Sequence, residues 1–125
     1  MIFISAASGA VGSIACQIAR LLGATVIGSA RGPEKVDYLR SIGVEHVIDY
    51  KSTGDLTQAL RKLSPNGIDA YFDNVGGDHL DAALACARTF ARFALCGMIS
   101  GYNSEAASPR NLLMAIESGC YFKGS

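Results

Sequence analysis

The most readable chemistry lies in residues 5–13, Ser5-Ala6-Ala7-Ser8-Gly9-Ala10-Val11-Gly12-Ser13. This run of small residues follows an apolar segment, 1–4, and opens an amphipathic one, 11–22, a pattern that predicts a strand, a tight turn and a helix. Such a turn lets a phosphate reach bare backbone N–H groups at a helix N-terminus, where the helix dipole favours negative charge. The spacing is Ala7-x-Gly9-x-x-Gly12, with alanine where the dinucleotide fingerprint usually begins with glycine. Gly12 is expected to let the helix pack tightly on the sheet. The same small residues also serve an ordinary strand-to-helix turn, so the motif alone is not decisive.

The next informative position is the end of the second expected strand. An NAD site usually places an Asp or Glu there, about 20 residues past the glycine turn, to bind the ribose 2′-hydroxyl. Here the chain reads Gly28-Ser29-Ala30-Arg31, with no acid. Arg31 and Lys35 bracket the turn and Ser29 supplies a hydroxyl, a mixture of charge and donors that suits a 2′-phosphate. Lys35 falls in the first turn of an expected helix, where the dipole disfavours a cation and an anionic ligand would offset the mismatch. Lys35 also reads as a solvated surface residue beside Glu34 and Asp37. The missing acid speaks equally against an S-adenosylmethionine methyltransferase.

A third site lies in Asp73-Asn74-Val75-Gly76-Gly77. Asn74 offers both a donor and an acceptor, and the glycines let backbone approach a ligand. A plain turn into a helix is the alternative. Cys96 reads as core rather than nucleophile, because no nearby group in the sequence would lower its pKa. Tyr50 and Tyr102 are aromatic residues at loops, with no intrinsic label.

These residues require elements to position them. Strands are expected over 1–4, 25–29, 47–48, 68–73 and 92–97, with a last one beginning near 120–122. Helices are expected over 11–22, from Pro33 to Gly43, over 56–63, from Asp78 through Ala87, and over 111–118. Alternating strands and helices predict an α/β fold: a Rossmann-type, doubly wound parallel sheet in three layers. Ligands bind such sheets at the carboxyl ends of the strands, near the switch in strand order. The loops at those ends are 5–13, 29–35, 49–51, 73–77 and 96–103.

Composition narrows the classes. The 125 residues fit one domain, 11 basic and 11 acidic residues balance, and half of the chain is hydrophobic. That balance speaks against nucleic-acid or anionic-membrane partners. No stretch is apolar enough to span a bilayer, and no basic residue precedes the first apolar run, against a secretory signal. Cys16, Cys86, Cys96 and Cys120 are far apart, as are His46 and His79, so no metal site is expected. Buried free thiols in a cytoplasmic protein are the expectation.

Several segments together carry a resemblance: SAASGAVGS (5–13), Glu34-Lys35-Val36, Asp49-Tyr50-Lys51, YFDNVGG (71–77) and CGMISGYN (96–103). In this order they resemble the zinc-independent medium-chain dehydrogenase/reductases, in the branch of alkenal/one oxidoreductases and prostaglandin reductases. The resemblance implies NADP(H) binding. It places the pyrophosphate on Gly9, Ala10, Val11 and Gly12 and the 2′-phosphate on Lys35. Tyr50 and Asn74 are implied as further cofactor contacts, and the loop containing Cys96, Gly97, Ile99, Ser100 and Tyr102 would run along the nicotinamide. Arg31 departs from the small residue expected at its position; it either strengthens phosphate binding or sits at the surface. Family members surround this domain with an N-terminal catalytic domain and a C-terminal return segment. Residues 1–125 are therefore expected to be an NADP(H)-binding domain excised from a longer, homodimeric protein.

The implied activity is transfer of hydride from NADPH to the β-carbon of an α,β-unsaturated ketone or aldehyde. No residue is a convincing general acid; Tyr102 is the one candidate. The alternative is an NADP(H)-binding module without turnover of its own. A short-chain dehydrogenase is rejected, because Tyr38, Tyr50, Tyr71, Tyr102 and Tyr121 all lack a lysine four residues on.

Overall fold

β-branched and aromatic runs supply the strands, and glycines at positive φ, Gly23, Gly43 and Gly67, follow the first three helices. The computed structural model describes residues 1–75, 77–95 and 121–124. In order the elements are β1 (Ile2–Ile4), α1 (Ala10–Leu21), β2 (Val26–Ala30), α2 (Pro33–Ser41), β3 (His46–Asp49), α3 (Leu56–Leu63), β4 (Ile68–Asp73), α4 (Gly77–Cys86), β5 (Ala87–Leu95) and β6 (Tyr121–Gly124). The strands form one sheet in the order β3-β2-β1-β4-β5-β6, and every adjacent pair is parallel. This is the expected doubly wound α/β arrangement. The order reverses between β1 and β4, so the switch point lies where Ser5 and Asn74 leave the sheet.

The pleat divides the core between two faces. Phe3, Ile27, Ile48, Tyr71 and Phe93 pack with Leu60 of α3 and Leu80 and Ala83 of α4. Ile4, Val26 and Ala30 pack on the other face with Cys16 and Ala19 of α1 and Val36 and Leu39 of α2. Right-handed crossovers account for this division, since the chain moves one way across the sheet through α1 and α2 and the other way through α4.

Helix α1 turns a different face inward from the one its large residues outline. Its buried residues are Gly12, Ser13, Cys16 and Ala19, whereas Val11, Ile14, Ile18 and Leu21 are more than half exposed. The cause is close approach. A Cβ on Gly12 would stand 2.5 Å from the Ala6 carbonyl oxygen and 2.8 Å from Ala7 Cα. A helix that near the strand can present only small side chains to it.

β5 begins earlier than the residue pattern indicates, at Ala87, and α4 stops at Cys86. Its pairing with β4 shifts register between Ile68 and Ala70, and Phe90 has φ 65. This irregularity hides the strand's first residues from an alternation pattern. The expected helix over 111–118 lies outside the described residues.

Candidate functional site at the carboxyl edge of the sheet

The turn after β1 is built to expose backbone donors. Gly9 caps α1 in extended conformation, no side chain bonds into the cap, and the first turn carries no acid. By helix geometry the N–H groups of Ala10, Val11 and Gly12 have no intrahelical acceptors. Gly9, Ala10 and Val11 are exposed. The turn is anchored from below. Ala7 N donates to the Ser29 carbonyl at 2.8 Å, Ala6 N to Ser29 Oγ at 3.2 Å, and Gly9 N to the Ala6 carbonyl at 3.1 Å. Ala6 itself has φ 47, a left-handed conformation unusual for a residue with a Cβ.

At the end of β2 the structure corrects the expectation for Ser29. The strand runs one residue further than the pattern indicated, to Ala30. Ser29 therefore lies inside the strand on the same side as Ile27, fully buried, and its Oγ meets Ala6 N and His79 Nε2 at 2.9 Å. That hydroxyl supports the turn from within and is not presented to a phosphate. Arg31 and Lys35 are exposed, Lys35 in the first turn of α2. Between them Gly32, at φ 97, donates its N–H to Asp49 Oδ1 at 2.9 Å. Asp49 also accepts from Lys51 N at 3.1 Å. The Gly32 N–H holds the Asp49 carboxyl below its ordinary range, with Lys51 assisting. The acid at this edge thus comes from β3 and fastens the β2–α2 loop.

At the end of β4, Asn74 N donates to Ser5 Oγ and Asn74 Nδ2 to the Ser5 carbonyl, both at 2.8 Å. Asp73 is fully buried. Its Oδ1 accepts from Tyr71 Oη at 2.7 Å, Val75 N at 3.0 Å and Ser5 Oγ at 3.4 Å. Burial, reinforced by the charge of Asp73, pushes the Tyr71 phenol well above its usual range, so it stays a donor.

His79, from the first turn of α4, completes the site. It is buried, lies parallel to Phe3 with ring centres 6.0 Å apart, and meets Tyr50 at 4.8 Å edge to face. Burial pushes its imidazole below the usual value, partly opposed by Asp73 and Asp78. A cleft of about 290 Å³ opens beside it, lined by Tyr50, Leu56, Val75, Asp78 and His79 among others.

The structure brings the glycine turn, Arg31, Lys35, Tyr50 and Asn74 to one edge of the sheet, since four parallel strands end there. Cys96, Gly97, Ile99, Ser100 and Tyr102 lie outside the described residues. Sequence reasoning named Ser5 and Asp49 only within their motifs, without a role of their own, and missed His79 as part of the site. Only the alternation of β2, with Ile27 and Ser29 on one face, hinted at the buried partner. Cys16 and Cys86 are free and buried; burial pushes the Cys16 thiol up to about 11 and raises that of Cys86. Among the described residues no group of three or more His, Cys, Asp or Glu side chains could hold a metal ion, and no helix is long and apolar enough to cross a membrane.

The arrangement matches known proteins. The family model described as zinc-binding dehydrogenase matches residues 10–119. A 2-alkenal reductase (NADP(+)-dependent) of Nicotiana tabacum is 51% identical over 105 residues, 83% of this chain and 31% of its own. Prostaglandin reductase 1 of Mus musculus is 47% identical over 87% of this chain and 33% of its own. Among solved structures, CurA of Vibrio vulnificus in complex with NADPH superposes with a TM-score of 0.85 at 36% identity, over 99% of this chain and 39% of that one. The chain thus spans about a third of the length of the curated relatives it matches. From the matched family model, the chain belongs to the zinc-binding dehydrogenase family.

Proposed function

We propose that residues 1–125 are the NADP(H)-binding domain of a reductase that saturates the C=C bond of α,β-unsaturated ketones or aldehydes. One observation carries the cofactor reading. β2 ends without a carboxylate and is followed by exposed Arg31 and Lys35, on the same edge as the uncapped N-terminus of α1. The fit is chemical. Backbone donors and a helix dipole suit a pyrophosphate, Gly12 leaves no side chain between turn and helix, and two cations suit a 2′-phosphate. The NADPH of the CurA structure and the NADP-dependent name of the tobacco relative support the choice.

In this reading Gly9, Ala10, Val11 and Gly12 bind the pyrophosphate through their backbone. Lys35, assisted by Arg31, binds the 2′-phosphate. Asn74 turns its Nδ2 inward to Ser5, so its Oδ1 is the group suited to a ribose hydroxyl. Tyr50, braced by His79, borders the adenosine side. Cys96, Gly97, Ile99, Ser100 and Tyr102 are proposed to follow the nicotinamide, with Tyr102 a candidate proton donor. The bound nicotinamide would supply the hydride; the chain's part is to bind and orient it. The absence of zinc from the chemistry, a homodimeric longer protein and a cytoplasmic location rest on the resemblance.

Binding without turnover is the second reading, since no residue described at this edge is placed to give a proton to a substrate. Titrating NADPH into the protein and assaying enal reduction on the same sample separates the two. NADPH binding with reduction supports the enzyme reading. Binding without reduction supports the module, and failure to bind overturns both.

A further inference from the structure

His79 lies 50 residues from Ser29 in sequence, yet its Nε2 sits 2.9 Å from Ser29 Oγ inside the fold. Ser29 holds two successive residues of the glycine turn, Ala6 through its hydroxyl and Ala7 through its carbonyl. Ala6 is the residue in left-handed conformation, and its carbonyl oxygen occupies the space that a Gly12 side chain would need. A shift of Ala6 therefore reaches the N-terminus of α1 directly. On its other side His79 supports the ring of Tyr50. Resting on the NADP(H) reading above, we propose that His79 is a positioning residue for the dinucleotide. It fixes Ser29 against Ala6 and Tyr50 at the β3–α3 loop, so that one buried side chain sets the pyrophosphate turn and the adenosine wall together.

In this role Ser29 Oγ accepts the Ala6 N–H and gives its own proton to His79 Nε2, which accepts. The imidazole is neutral with its proton on Nδ1. Protonating Nε2 makes it a donor, so the Ser29 hydroxyl must turn its own hydrogen elsewhere and the arrangement changes. The groups that face or act on His79 are Ser29 from β2, Phe3 from β1, Tyr50 after β3, Asp73 from β4 and Asp78 from α4. The two carboxylates favour the protonated form, whereas burial opposes it. Acidification should loosen the turn.

The test compares wild type, His79→Gln, which keeps an acceptor, and His79→Leu, which keeps bulk without one. NADPH affinity is measured at pH 8 and pH 5.5, with circular dichroism as a check on folding. At pH 8 we expect His79→Leu to bind roughly tenfold more weakly and His79→Gln to stay within about threefold of wild type. At pH 5.5 wild type should lose more affinity than His79→Gln, which has no imidazole to protonate. Folded His79→Leu binding NADPH as wild type does overturns this inference alone; wild type that binds no NADPH overturns the nucleotide reading with it. If neither variant folds, nitrogen NMR of wild-type His79 decides. A proton on Nδ1 supports the assignment, and one on Nε2 at pH 8 contradicts it.

Discussion

Asn74 grips Ser5 twice, through its backbone N–H to Oγ and through Nδ2 to the carbonyl, each at 2.8 Å. The two residues lie where β1 and β4 leave the sheet, the point at which strand order reverses. A carbonyl can only accept, so this contact fixes which end of the amide faces inward. The fold itself thus ties β1 to β4 at the switch point through this one side chain and its backbone N–H.

Replacing Asn74 with Ala should consequently act on the fold and the site together. Loss of one side-chain hydrogen bond should reduce stability by about 1 kcal/mol. NADPH and NADH affinity should fall by the same factor, because the contact precedes any distinction at the 2′ position. Urea denaturation and paired titrations check both; a loss confined to NADPH contradicts the assignment.

Gly12 is the least replaceable residue of the turn. A Cβ would overlap the Ala6 carbonyl at 2.5 Å, backbone against backbone, with no flexible side chain to yield. Gly12→Val should abolish binding of either nicotinamide dinucleotide and lower stability by at least 1–3 kcal/mol. Retained affinity in titration would refute the turn as the pyrophosphate site.

Asp73 supports the switch point from below, with Tyr71, Val75 and Ser5 donating to one of its oxygens. Asp73→Ala strands those buried donors. A destabilisation of about 2–4 kcal/mol is expected in urea denaturation, with Tyr71→Phe costing about 1 kcal/mol. Equal losses for the two variants would mean that Tyr71 is the only donor that matters.

The buried imidazole links stability to pH. His79 binds a proton less readily in the folded protein than its ordinary pKa of 6.5 allows. The unfolded chain therefore takes up more protons as pH falls below 6.5, and stability decreases through that window towards the folded pKa. Above 6.5 this contribution is fully present. Thermal melts from pH 8 to pH 5 should show a steeper decline for wild type than for His79→Gln, and parallel curves would remove His79 as the cause.

Much of this architecture was legible in the residues. The small-residue turn, the β-branched runs and the glycines closing the helices define a parallel α/β sheet because periodicity and turn chemistry are local properties. Lys35 and Asn74 follow as candidates once strand ends are known. Ser29 misled because, two residues on from Ile27, the pleat turns its side chain to the same buried face. His79 was unreadable for another reason: a lone histidine does not say which residue 50 positions away it will meet. The exposed apolar side of α1 inverted the simple pattern, since the Gly12 contact reserves the sheet-facing side for small residues.

The central claim is that the edge of β2 selects a 2′-phosphate through Lys35, exposed in the first turn of α2. The direct test is a fluorescence titration of wild type and Lys35→Ala with NADPH and NADH in parallel. Wild type should prefer NADPH, and the substitution should weaken NADPH roughly tenfold or more while changing NADH little. Arg31→Ala should have a smaller effect. Equal losses for both cofactors on removing Lys35, or no preference in wild type, would contradict the account.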